Sequence, residues 1–332
     1  MKIIVDAFGG DNAPLEIIKG CAQAVSEFGI QIILTGSEKT ITEVAKQNDI
    51  SLDGIEIADC SQVITMDDSA ESVLKAKKDS SMAVGIRLLS EDKGEAFISA
   101  GNSGALCVGA TLGIKRIKGI KRPAFAPVLP SESGSFMIMD GGANVECRPE
   151  MLHQFAVMGS VYMEKVMGIN NPRIGLANVG TEEHKGTELY QDTYKILSKS
   201  KLNFVGNIEG RDIPKGACDV LVCDGFTGNL ILKTYEGAAL TLMKQLKHMF
   251  TDSAKGKVAA ALVLKDIKEF KTRFDYNTYG GAPILGTSKP VFKAHGDSKA
   301  RTIKNAIKLI ISYVNANAID EISTSLKNSK EE

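Results

Sequence analysis

Short apolar runs alternate along this chain with longer stretches in which apolar residues return every three or four positions, the pattern of strands alternating with helices. Residues 3–5 predict a strand and residues 15–28 a helix, with Pro14 suited to its first turn. Residues 32–35 predict the next strand, 41–47 the next helix and 55–58 a third strand. Residues 69–89 hold helical spacing. Residues 96–98 predict a buried strand end running into a Gly-containing corner, with Ser103 as N-cap of a helix over 105–114. Farther on, 125–129 and 136–139 predict paired strands, 153–167 a helix, and 173–178, 203–206 and 220–223 further strands. Residues 229–274 read as helical, 279–286 and 294–298 as loops, 302–319 as a closing helix and 324–332 as a disordered tail. This alternation predicts a three-layer α/β/α fold with a mostly parallel sheet.

At 332 residues the chain can bury a large core, and one catalytic unit over residues 1–320 is expected, in two lobes with the site between them. Charged residues make up 24% and the formal net charge is zero, so bulk electrostatics give no reason to expect nucleic acid as a partner. Six scattered cysteines read as reduced core residues. The first residues look like a strand and lack the long apolar region of a signal peptide, and no apolar run is long enough for a membrane span. A soluble, cytoplasmic protein is the expectation. Between Lys244 and Arg273, however, eight Lys/Arg face three acids, an excess of five positive charges on a neutral protein. A basic, apolar helical segment of this kind suits a membrane interface or an acidic partner, although a helical hairpin with one wet face explains it equally.

Candidate chemistry sits where strands end. Asp6, Gly9, Gly10 and Asp11 follow the first strand, and Ser99, Gly101, Asn102, Ser103 and Gly104 follow the strand at 96–98. Asp140 to Asn144, Asn178 to Gly186, and Asp224 to Asn229 are corners of the same kind. In open α/β sheets that edge is where ligands bind. Corners of glycine and small polar residues turn several backbone N–H groups toward one point, which favours an anion, phosphate above all. Any one corner taken alone is also compatible with an ordinary strand–helix turn, since none is a Walker loop or G-x-G-x-x-G. The chain contains no H-E-x-x-H, no G-x-S-x-G elbow and no histidine followed by aspartate five positions on. What remains suits a reaction in which phosphate is itself a substrate, carried by positioning and oxyanion stabilisation without a protein nucleophile.

Taken in order, eight segments resemble the motifs of the bacterial phosphate acyltransferase (PlsX) family, over residues 1 to about 318. Residues 5–11 are similar to V-D-A-M-G-G-D with Phe8 for Met, 99–105 to S-A-G-N-T-G-A with Ser103 for Thr, and 140–144 to D-V-G-A-N with Gly141 for Val. Residues 178–186 resemble N-I-G-E-E-x-x-K-G, with Thr181 where the family has its first Glu. Residues 206–210, 219–229, 279–286 and 295–298 match G-N-I-E-G, D-V-x-V-x-D-G-F-x-G-N, Y-G-G-A-P-L-L-G and H-G-x-S.

The resemblance implies that inorganic phosphate attacks a fatty acyl thioester on acyl carrier protein. The acyl phosphate would serve a membrane glycerol-3-phosphate acyltransferase at the entry to phospholipid synthesis. It further implies a fold akin to phosphotransacetylases and isocitrate/isopropylmalate dehydrogenases, a homodimer, no metal and no organic cofactor. On the same basis Lys185, His295 and Asn229 are expected to be catalytic. Phosphate and thioester are expected at Asp6, Gly9, Gly10, Asp11, Ser99, Gly101, Asn102, Ser103, Gly104, Asn144, Asn178, Glu182, Asp224 and Gly225. The aspartates Asp6, Asp11, Asp140 and Asp224 have an alternative role as anchors of loop N–H groups, and His184 reads as a surface residue. Lys255, Lys257, Lys265, Lys268, Lys271 and Arg273 are expected to contact the carrier or the inner face of the cell membrane. Competing readings are a phosphotransacetylase using acyl-CoA, a metal- and NAD-dependent decarboxylating dehydrogenase, and a catalytically silent carrier- or membrane-binding module.

Overall fold

The computed structural model describes residues 1–263, 265, 267 and 280–329. The first half opens with β1 (Lys2–Asp6), α1 (Leu15–Phe28), β2 (Gln31–Gly36), α2 (Glu38–Gln47), β3 (Ile55–Asp59), α3 (Ser81–Ser90), β4 (Ala96–Ser99) and α4 (Ser103–Gly109). Next come β5 (Ala124–Phe125), β6 (Val128–Ser131), β7 (Gly134–Met139), α5 (Pro149–Lys165), β8 (Ile174–Asn178), α6 (Glu188–Lys199), β9 (Phe204–Glu209) and β10 (Val220–Val222). Then follow α7 (Gly225–Thr251), α8 (Ala254–Leu262), β11 (Gly281–Leu285), β12 (Val291–Ala294) and two closing helices, Ala300–Asn315 and Ala318–Asn328. Local chemistry sets several of these boundaries. Ser37 caps α2 by accepting from the Thr40 N–H, and Gly29 ends α1 at φ 64°, a left-handed conformation that costs glycine little.

Parallel pairing dominates, as the alternation predicts, but the strands divide between two sheets. A seven-stranded sheet runs β3-β2-β1-β4-β12-β11-β5, and a five-stranded one runs β6-β7-β10-β8-β9. β1, β2, β3, β4 and β12 pair in parallel, as do β7, β10, β8 and β9, so their carboxyl ends share an edge within each sheet. One continuous apolar cluster includes Ile3, Leu34 and Phe292 of the first sheet and Met137, Ile174 and Val220 of the second. The two sheets therefore share a core.

Five expectations are corrected, the first being the closing helix over 302–319, which is two helices parted at Asn317, whose φ of 48° is left-handed. Residues 69–89 are not one helix: a 3-10 turn at Ala70–Val73 is followed by loop, and α3 starts only where Ser80 accepts from the Ala83 N–H. The polar run 75–80 has no apolar face to bury, which ends the helix early. Residues 281–285 are a strand, not a loop, because Ala282, Ile284 and Leu285 are buried and β11 pairs antiparallel with both β12 and β5. α7 begins at Gly225, ahead of Asn229, because Asp224 caps it by accepting from the Thr227 N–H at 2.9 Å. The tail expected over 324–332 is helical to Asn328, since Ile322 and Leu326 lie one turn apart on a buried face. Residues 330–332 lie outside the described residues.

Candidate active site

Two corners of the seven-stranded sheet touch. Asp6, at the end of β1, is buried and accepts from the Ser99 hydroxyl at 2.6 Å and the Phe8 N–H at 3.1 Å. Burial pushes its carboxyl above the ordinary range, opposed by hydrogen bonds from Ser81, Ser99 and the Phe8 and Gly9 amides. The Ser99 Oγ in turn accepts from the Gly101 N–H at 3.0 Å. A Cβ on Gly9 would stand 2.6 Å from the Gly101 nitrogen, so only glycine lets the corners approach this closely. The Asp11 N–H donates to the Gly296 carbonyl at 2.7 Å, which adds the corner after β12 to the same group.

Asn102, not Ser103, caps α4. Its Oδ1 accepts from the Ala105 N–H at 3.0 Å, while its Nδ2 donates to the Thr65 and Asp68 carbonyls at 3.1 and 3.2 Å. Both amide hydrogens are thereby committed, and the expected donation from Asn102 to phosphate has no free hydrogen. The same bonds hold residues 65–68 as a wall beside the corner. Ser103 is exposed at the rim, and neither its hydroxyl nor its N–H has a partner among the described residues.

The corners of the five-stranded sheet are held by their own carboxylates. Asp140 is fully buried and accepts from the N–H groups of Phe125, Gly142, Ala143 and Asn144 and from the Asn144 Nδ2, at 2.7–3.2 Å. Burial pushes its carboxyl up while these donors pull it down. The Asn144 side chain also donates to the Pro123 carbonyl at 2.7 Å. Asp224 accepts from Thr227 and, at 2.5 Å, from the Tyr190 hydroxyl, whose phenol burial and this carboxylate push up. Gly225 sits against the Asn144 backbone, its N–H donating to the Asn144 carbonyl at 2.6 Å. Asn178 donates to the Lys185 carbonyl at 3.1 Å and accepts from the Val179 N–H at 2.8 Å, closing the corner after β8 on itself.

A cavity of about 800 Å³ opens between these edges. Of the expected residues, Gly10, Asp11, Gly101, Asn102, Ser103, Gly104, Asn229 and His295 line it. Asp6, Gly9, Ser99, Asn144, Asp224 and Gly225 are not part of its lining; their bonds fix the backbone that shapes it. Asn178, Glu182 and Lys185 do not line it either: they belong to the corner after β8, the strand beside β10. His184 is exposed there. Phe8, Val63, Met66, Val108, Phe125, Val128, Leu129 and Leu232 give the cavity a mainly apolar wall. The His295 Nδ1 lies 2.6 Å from Asp297 Oδ1, an arrangement that fixes the ring. Asn229, the fifth residue of α7, covers Gly142. Cys107 also faces the cavity, but burial pushes its thiol up to about 12, so it offers no thiolate nucleophile near neutrality.

Two cavity lysines escape the sequence reading. Lys293 of β12 is 9% exposed and donates from Nζ to the carbonyls of Ala100, at 3.1 Å, and Ala294. Burial, and then the charge of Lys233, pull its ammonium down to about 8. Lys233 of α7 lines the cavity with its Nζ 2.8 Å from Glu236. A lone lysine between Phe292 and Ala294 in an apolar run was the available signal, hidden because the flanking residues read as loop.

Beyond Lys233, α7 and α8 form an outlying pair with Leu240, Leu242, Met249, Val258 and Leu262 all more than half exposed. Lys255, Lys257 and Lys265 are exposed on this arm; Lys268, Lys271 and Arg273 lie outside the described residues. Among the described residues no helix is long and apolar enough to cross a membrane, and no cluster of His, Cys, Asp and Glu is placed to hold a metal.

A family model described as "Fatty acid synthesis protein" matches residues 1–321. The chain is 46% identical over 329 residues to a phosphate acyltransferase of Clostridium tetani, covering 99% of this chain and 98% of the relative. It is 47% identical over 328 residues to a phosphate acyltransferase of Clostridium acetobutylicum, covering 98% and 99%. Among solved structures it resembles a phosphotransacetylase from Streptococcus pyogenes, with a TM-score of 0.62 at 18% identity over 96% of this chain and 94% of that one. A branched-chain phosphotransacylase from Enterococcus faecalis gives 0.59 at 13% identity, over 95% and 99%. These two likenesses are of fold.

Proposed function

Since the chain belongs to the fatty acid synthesis protein family, with phosphate acyltransferases as its relatives, we propose that it moves a fatty acyl group from acyl carrier protein to inorganic phosphate. The observation that carries this reading is one cavity with two characters: a polar rim of Gly101, Ser103, Gly104, Asn229 and His295 beside a wall long in apolar side chains. A small anion and an acyl chain fit such a site together.

A phosphate oxygen attacks the thioester carbonyl carbon, a carbon–oxygen bond forms, the carbon–sulfur bond breaks, and the carrier thiol leaves. His295, oriented by Asp297, takes the proton of the attacking phosphate and returns it to the departing sulfur. A thiol with a free pKa near ~8.5 is a good leaving group, so the site's main task is positioning and charge. Asn229 donates toward the phosphoryl group, and Lys185, which stands outside the cavity lining at the neighbouring strand end, is assigned the tetrahedral oxyanion on condition that its long side chain swings in when substrate is bound.

The acidic carrier docks on the basic arm of α7 and α8, whose exposed apolar residues also touch the inner face of the cell membrane or a second copy of the chain. The acyl phosphate then passes to a membrane glycerol-3-phosphate acyltransferase, which places the reaction at the start of phospholipid synthesis. The test is incubation with long-chain acyl carrier protein and phosphate, followed by hydroxylamine. An acyl hydroxamate that requires phosphate, and forms faster from the carrier thioester than from the CoA thioester of equal chain length, is expected. Faster turnover of the CoA thioester would replace the carrier by CoA, and carrier binding without hydroxamate would leave a silent module.

A further inference from the structure

Lys293 is an unusual place to put a charge. It is nine-tenths buried in a strand, forms no ion pair among the described residues, and donates two of its three ammonium hydrogens to backbone carbonyls, which leaves the third for a ligand. Lys233, paired with Glu236 at 2.8 Å, lines the same cavity from α7, on the other sheet's side, and its charge still bears unfavourably on the Lys293 ammonium. Isolated buried charge is costly, and a like-charged neighbour adds to the cost. An anion between the two removes both penalties at once.

We propose that Lys293 and Lys233 form a two-sided clamp for the transferred phosphoryl group, Lys293 as the fixed cation on the floor of the cavity and Lys233 as its counterpart on the wall. This rests on the reading of inorganic phosphate as substrate, and gives that anion its charge partners. The Ala100 and Ala294 carbonyls hold the Lys293 Nζ at the junction of the β4 and β12 corners, beside Gly101 and His295. Other ionisable groups around it are Asp6 and Asp11 after β1, Cys107 of α4, Glu236 beside Lys233, and the His295–Asp297 pair. The clamp works while Lys293 is protonated. Binding an anion stabilises that form, so phosphate affinity holds below the Lys293 pKa and falls as pH rises through it.

The experiment is calorimetric binding of inorganic phosphate to the full-length protein across the alkaline range, for wild type, Lys293→Met, Lys293→Arg and Lys233→Met. Phosphate only gains negative charge as pH rises over this range, which would strengthen its binding to a cation, so a fall in affinity belongs to the protein. Wild type is expected to lose about tenfold or more in affinity between about pH 7.5 and about pH 9.5. Lys293→Met is expected to bind about tenfold or more weakly at the lower pH and to show no further step, while Lys293→Arg holds its affinity into alkali. Lys233→Met, an exposed position that does not threaten folding, weakens binding only a few-fold, and its step moves to higher pH because the repulsion on Lys293 is gone. Unchanged affinity in folded Lys293→Met, or an unmoved step in Lys233→Met, overturns the clamp. Thiol release separates this from the parent reading: phosphate-dependent release with an unaltered phosphate KM in Lys293→Met sinks the clamp alone. Phosphate binding that depends on Lys293, without phosphate-dependent release, sinks the proposed reaction alone.

Discussion

The edge of the seven-stranded sheet and the edge of the five-stranded sheet each present a lysine, and the two are built differently. Lys293 stands in a strand, nearly buried, its Nζ fixed by two carbonyls and its pKa pulled down. Lys185 stands in the loop after β8, partly exposed, and its ammonium has no partner among the described residues. A charge fixed before ligand arrives acts on the bound ground state and the transition state alike, and so belongs mainly in KM. A charge free to settle on developing negative charge acts on the transition state alone, and so belongs in kcat. Two lysines one edge apart can therefore divide binding from chemistry.

The largest effect is expected at Lys185. Lys185→Ala is predicted to lower kcat by about 10²–10³-fold with KM for phosphate nearly unchanged, measured by steady-state thiol release. Full activity in a normally folded variant would reject the role. His295→Gln should follow with a loss of roughly 10²-fold in kcat/KM, because the amide keeps the shape but shuttles no proton. If that loss appears only in KM, His295 binds and does not transfer.

Next in size is a change that acts through folding. Asp140→Ala removes the acceptor of five N–H bonds at a fully buried corner, and a denaturant midpoint corresponding to about 2–4 kcal/mol less stability is expected. Lys185→Ala in the same titration should leave the midpoint in place, which separates corners that hold the fold from residues that do the chemistry. The smallest effect is expected on the arm. Replacing Lys255 and Lys257 by Glu should weaken carrier binding a few-fold at low salt and flatten its salt dependence, by pull-down or calorimetry. Salt-insensitive binding by wild type would remove the electrostatic account of docking.

Most of the architecture was legible because strand and helix periods differ, and α1 runs over the span its apolar spacing predicts. β11 was not legible, since Gly281, Ala282 and Pro283 carry turn composition, and only pairing with β12 and β5 makes them a strand. The split into two sheets was equally hidden, because strand order is a long-range property. At the candidate site, Gly and Asn corners marked the right edges, but sequence alone could not say which polar groups are spent on the backbone. Asn102, Asn144 and Asn178 look like ligand donors in one dimension and are committed to carbonyls in three. Lys293 runs the other way: silent within an apolar run, it becomes conspicuous once burial and the facing Lys233 are seen.

The most direct test of the central claim is thiol release from a long-chain acyl carrier protein while inorganic phosphate is titrated from none to saturation. Negligible release is expected without phosphate and a saturating rise with it. Release that ignores phosphate, or none from either the carrier or the CoA thioester, would contradict the assignment of this cavity to acyl transfer onto phosphate.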